Sequence, residues 1–241
     1  DHRDLHSFPT RRSSDLIVYG ALVSWVQPDV KKLVAYSSVS HLGFVMLGIF
    51  SLNGEALQGG VIQMVNHGLS TGAIFLLVGM IYERRHTRQI AEFGGLARIM
   101  TVYAALFMVV TLSSIGLPGL NGFVGEFLVL VGAFKVHTAF AIVAATGVIF
   151  SAVYMLTMYQ RVFFGPVKKQ ENSALKDLQL REILLLAPVL LFCLWIGLYP
   201  AAFLNKSEAT VKQLIRQVEA KTALQQQGTT PMSQLYDANE E

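Results

Sequence analysis

Residues 101–134 read TVYAALFMVVTLSSIGLPGLNGFVGEFLVLVGAF, and how this stretch is read decides the fold. It is 34 residues of almost unbroken apolar sequence. As one straight helix it would be about 51 Å long, against a bilayer hydrocarbon core of about 30 Å. The excess is resolved inside the stretch. Gly116, Pro118, Gly119, Gly122 and Gly125 crowd together just ahead of Glu126. Pro118 removes a backbone donor and disfavours helix at Leu117. The cluster therefore predicts an interrupted helix, broken near 116–121. Backbone groups freed at such a break must be satisfied by protein or water, because lipid offers no partner.

Working outward, the chain repeats the apolar pattern. Spans are expected at 33–50, entered through Pro28-Asp29 as a helix start, and at 56–82, 136–164 and 183–204. Residues 16–27 are too few to cross a bilayer and read as a remnant helix. The first fifteen residues, DHRDLHSFPTRRSSD, differ abruptly from the apolar run after them, and SFPTRRSSDL (7–16) resembles a translated adapter sequence. Residues 1–15 are accordingly expected to be foreign, 16–205 to form the membrane domain, and 206–241 to be a polar tail with at most a short surface helix at 206–222. The fold class is all-α: a polytopic transmembrane helical bundle with one interrupted helix.

Composition agrees. Charged residues are 15% of the chain and hydrophobic ones 53%, with mean hydropathy +0.48. An ordinary soluble domain carries roughly 25% charged residues. Continuous rather than alternating apolar runs argue against a membrane β-barrel. The net charge of +3 is not a nucleic-acid signature, because the basic residues sit in loops between apolar runs. Loops 28–32, 82–100 and 161–182 carry eleven Lys and Arg, whereas the alternate loops carry Lys135 alone. That asymmetry makes the first set cytoplasmic. The single Cys193 gives no disulfide and no metal spacing. No motif marks a flavin, iron–sulfur, nucleotide or metal site.

Three ionisable residues lie deep in apolar segments: His41, His67 and Glu126. Each is costly in hydrocarbon unless it faces protein or water. In GGVIQMVNHGLSTGAIFLL (59–77), Gln63, His67, Ser70 and Thr71 share one helix face. Such a stripe can hold water and pass a proton, or it can be hydrogen-bonding glue between helices. In AYSSVSHLGFVMLG (35–48), Ser37 and Ser38 extend the polar face of His41, with the same two readings open. Imidazole titrates near neutral pH and can both take and give a proton. Glu126 is the sharper signal, because interrupted helices at the midplane are where transporters place their ion sites. The plainer alternative is a structural kink whose glutamate is paired to a neighbour.

Four words carry a resemblance: DVKKLVAYSSVSHLGFVMLGIF (29–50), GGVIQMVNHGLSTGAIFLLVGMIYERRHTR (59–88), GGLARIMTVYAALF (94–107) and LSSIGLPGLNGFVGEF (112–127). From about 17 to 204 the chain resembles the antiporter-like membrane subunits of NADH-quinone oxidoreductase, respiratory complex I. The glutamate in the last word resembles the M type, where the L and N types and many antiporters carry lysine. The resemblance implies an antiporter-like fold with inverted repeats, of which this chain would be the C-terminal part. It implies a bacterial inner-membrane location and a buried row of proton carriers. His41, His67 and Glu126 match positions of the second repeat, with Glu126 nearest the exit. It also implies that NADH, FMN, iron–sulfur clusters and quinone belong to other subunits, and that the partners are the L- and N-type chains and the bilayer, with no nucleic acid. A cation/proton antiporter or membrane-bound hydrogenase subunit shares these words. A non-conducting scaffold of the membrane arm is the remaining alternative.

Overall fold

The computed structural model describes residues 2–167 and 169–228. Among them every regular element is helical: α1 (His2–Trp25), α2 (Val30–Phe50), α3 (Gly54–Arg85), α4 (Leu96–Ile99), α5 (Thr101–Ser114), α6 (Asn121–Val136), α7 (Thr138–Phe163), α8 (Gln170–Ser173), α9 (Leu180–Leu198) and α10 (Ala201–Gly228), with a short 3₁₀ turn at Ile90–Glu92. Four of these, α2, α3, α7 and α9, are long and apolar enough to cross a membrane. Exposed leucines such as Leu191 (63%) and Leu198 (73%) stud the outer faces. An apolar exterior of this extent needs lipid around it.

Capping, more than hydropathy, sets the helix ends. Asp29 accepts the backbone N–H of Lys31 and Lys32, so α2 begins at Val30, ahead of the apolar run. Asn53 caps α3 in the same way through Glu55 and Ala56. That helix continues to Arg85, where His86 adopts a left-handed conformation and ends it.

The expected interruption lies between α5 and α6, at 115–120. Its closure is a Schellman motif. The N–H of Leu117 donates to Leu112 O at 3.0 Å, and that of Gly116 donates to Ser113 O at 3.3 Å. Gly116 sits at φ +74°, where a Cβ would be strained, and Pro118 comes two residues later so that the helix cannot resume. Gly119 is also left-handed, at φ +93°. Gly122 serves close approach: a Cβ there would lie 2.1 Å from Ser113 O, so only glycine lets the two half-helices draw together.

Two apolar clusters bracket the middle of α2. One joins Leu33 and Val34 to α3, α5 and α7, where Tyr103, Phe107, Tyr159 and Phe163 pack ring on ring. The other joins Phe44 and Leu47 to Ile17, Val129 and Ala144. His41 lies between them on α2. With about 1.5 Å of rise per residue, that places it near the middle of a helix about 31 Å long.

The structure differs from the sequence expectation at both ends. α1 is one helix from His2 through the expected boundary at 15/16 and ends at Trp25, not 27. At the other end α9 stops at Leu198 rather than running to 204, because Pro200 cannot donate to the ladder. Pro200 O accepts from Phe203 and Leu204 and starts α10, which is a long helix in place of a polar tail with a short helix. Phe203 and Leu204 pack with Ile62, Val124 and Ile196, and Gln58 Nε2 donates to Leu204 O at 2.9 Å. The part of the expected loose end beyond Gly228 lies outside the described residues.

Candidate functional site

The centre of the bundle holds one continuous polar cluster, built by α2, α3 and the two halves of the interrupted helix. Glu126, one turn into α6, and His41, in mid-α2, are each 3% exposed. His41 Nδ1 lies 2.8 Å from Glu126 Oε1, so one hydrogen is shared between imidazole and carboxyl. Gln63 Nε2 donates to the same oxygen at 3.2 Å. On the other side of the ring, His41 Nε2 is 3.4 Å from Ser114 Oγ, the last residue of α5. Glu126 Oε2 points at the break: a Cβ on Gly116 would come within 3.0 Å of it.

His67 stands one step away. Its ring centroid is 5.7 Å from that of His41, and its Nδ1 is 3.1 Å from Thr71 Oγ1 on the same helix. A cavity of about 10 Å³ lies among His41, Gln63, Asn66, His67, Ser70, Thr71, Ser113, Ser114 and Gly122. That is the lower bound for a single water molecule. Asn66 Oδ1 is buried there without a protein donor. A buried acceptor in that state costs about 1–3 kcal/mol unless solvent serves it.

The expected stripe on α3 thus divides. Gln63 reaches Glu126 and His67 keeps Thr71, but Ser70 turns to Ser113 Oγ at 2.7 Å and to Asn121. Ser37 and Ser38 make no hydrogen bond to His41. Both hydroxyls donate to Val34 O on their own helix, at 2.7 and 3.2 Å, and Ser37 is also within hydrogen-bonding reach of the buried Tyr154. His86 and His137 stand at helix ends, outside the cluster.

Sequence reasoning missed Asn66, Asn121, Ser113 and Ser114. Asn66 Nδ2 donates to Asn121 O at 2.7 Å, and Asn121 Nδ2 donates back to Asn66 O at 3.3 Å. Ser113 Oγ donates to Asn121 Oδ1. This reciprocal clasp ties α3 to both lips of the break. The signal was present: an asparagine directly after a Gly/Pro break, and another beside His67. The Cys193 thiol of α9 backs the clasp within hydrogen-bonding reach of Ser113 and Ser70. Asn121→Ala is expected to cost about 1–3 kcal/mol for each polar group left unpaired. The complete subunit should then melt at a lower temperature, and an unchanged melting curve would show the clasp to be dispensable.

The family described as "NADH:quinone oxidoreductase/Mrp antiporter, TM" matches residues 13–151, more than half the chain. The chain belongs to this family. Among relatives, NADH-quinone oxidoreductase subunit M of Rhodobacter capsulatus is 44% identical over 217 residues, covering 90% of this chain and 42% of the relative. The subunit of the same name from Pseudomonas aeruginosa is 46% identical over 195 residues, covering 81% and 38%. A chain of respiratory complex I from Thermus thermophilus with bound NADH superposes with a TM-score of 0.81 at 36% identity, over 87% of this chain and 45% of that one. The Mrp complex from Dietzia sp. gives a TM-score of 0.79 at 19% identity, over 87% and 47%, and shares the fold alone. The chain spans about two fifths of the length of the curated relatives it matches. Membership of the family carries with it the antiporter-like bundle and its insertion in a membrane, in keeping with the apolar helices and the interrupted helix.

Proposed function

We infer that this chain carries the second-repeat part of the proton path of an M-type membrane subunit of NADH-quinone oxidoreductase. Glu126 takes up and releases the proton. His41 shares that proton through the 2.8 Å contact, and His67 hands it on through the polar cavity between the rings. The single observation that carries this reading is a buried carboxyl group hydrogen-bonded to imidazole at a chain discontinuity in mid-bundle. A carboxyl there can hold or lose a proton as neighbouring charge and hydration change. A neutral glue would need only an amide or hydroxyl at that point.

In this reading the chain has no redox centre. NADH, FMN, the iron–sulfur clusters and quinone sit in other subunits, and quinone reduction drives the change of charge around Glu126. The neighbours are the L- and N-type chains of the membrane arm. The location is the bacterial inner membrane, with the basic loops at 28–32, 82–100 and 161–182 on the cytoplasmic side. Proton release per NADH oxidised, measured with the complete complex in sealed vesicles, tests this. Glu126→Gln should collapse it while the complex still assembles, and an unaltered ratio would refute the role.

A further inference from the structure

The basic face carries a second site, remote from the proton cluster. A groove of about 880 Å³ opens between the C-terminal turns of α3 and the first turns of α9. Arg84 fixes its back. The guanidinium meets Glu182 twice, at 2.8 and 2.7 Å, and donates from Nε to Lys176 O at 3.1 Å and from Nη1 to Met80 O at 3.0 Å. Glu182 also accepts from Gln179 N at 2.7 Å and caps α9. Arg84 and Glu182 therefore cancel in charge and set the width of the groove. They leave Lys176 and Arg181 on the rim, both exposed, and neither has an ion-pair partner within 4 Å among the described residues. Glu83 is the one carboxylate opposing them on the lining.

One helical turn deeper the lining becomes apolar. Leu76 and Leu185 are 41% and 52% exposed into it. Gly79 leaves the α3 wall open, since a Cβ there would meet nothing within 4 Å. Cations above and apolar walls directly below are the chemistry of the headgroup–acyl boundary. A free anion would gain nothing from the lower half, and an uncharged tail nothing from the upper half.

We propose that this groove holds one anionic phospholipid, its phosphate between Lys176 and Arg181 and an acyl chain along Leu76, Gly79 and Leu185. The site is independent of the proton reading, so either can fail without the other. The complete subunit, stripped of lipid, is titrated with phosphatidylglycerol, with phosphatidylcholine of the same chains, and with inorganic phosphate, and retained ligand is counted by native mass spectrometry. Phosphatidylglycerol should be retained about thirtyfold more tightly than phosphatidylcholine, as two juxtamembrane cations imply. Lys176→Glu with Arg181→Glu should erase that preference. Gly79→Trp, which leaves every charge in place, should weaken retention of both lipids by blocking the apolar track between Leu76 and Leu185. Equal retention of the two lipids, retention of inorganic phosphate alone, or undiminished phosphatidylglycerol in the Gly79→Trp variant would each overturn the proposal. So would a map of the complete complex with polypeptide in the groove.

Discussion

Glu126→Gln in the complete subunit is expected to cut proton pumping at least about tenfold, the change that goes with each 1.36 kcal/mol of barrier. The glutamine keeps the size of the side chain and an oxygen for Gln63 Nε2, so the packing of α3 on α6 should survive. What it loses is the ability to exist in two protonation states. The hydrogen-bond partners of Glu126 among the described residues are the His41 imidazole and the Gln63 amide, and neither supplies a second carboxyl group. Subunit assembly, read from the intact complex on native gels, should be unchanged. Glu126→Asp, which keeps the acid but withdraws it from His41, should fall between the two.

The second large effect is expected at His41. The resemblance puts His41 and His67 in one buried row of carriers with Glu126 and does not rank them. The structure separates them. His41 touches the carboxyl group directly, whereas His67 hydrogen-bonds Thr71 and approaches His41 ring to ring. His41→Ala removes the group that shares a hydrogen with the carboxyl. It should therefore slow pumping by about tenfold, as about 1.36 kcal/mol on the barrier implies. His67→Ala removes one ordinary intramembrane hydrogen bond, worth about 0.6 kcal/mol, or roughly threefold. Pumping rates of the two variants in the same vesicles check the order. Equal losses would show that water in the cavity cannot stand in for His67 on the path.

The interruption was legible because it rests on residues with local rules. Gly116 takes the left-handed turn without steric cost and Pro118 lacks the N–H to continue the ladder, whatever surrounds them. The membrane class was legible because it needs only composition and run length. The pairing of His41 with Glu126 was not, since a helix-face pattern says which residues share a side and nothing about which distant helix that side meets. The serines show the same limit. Ser37 and Ser38 lie on the right face for a relay, but a hydroxyl in a helix can always satisfy itself on a carbonyl of its own preceding turn, and these two do. The role of Asn121 was not legible, because a neutral amide in an apolar run has no charge to mark it and its partner lies on a distant helix. α10 was missed for a different reason. Its mean hydropathy is low, yet Phe203 and Leu204 give it an apolar foothold against α3, α6 and α9 that a window average conceals.

The most direct test of the account is the protonation of Glu126 itself during turnover. Infrared difference spectra of the complete complex, taken between oxidised and NADH-reduced states, should contain the carbonyl stretch of a protonated carboxyl group that appears in one state and vanishes in the other. That band should be missing from Glu126→Gln. Identical difference spectra from the wild type and the variant would mean that Glu126 keeps one protonation state throughout, and that its contact with His41 is structural.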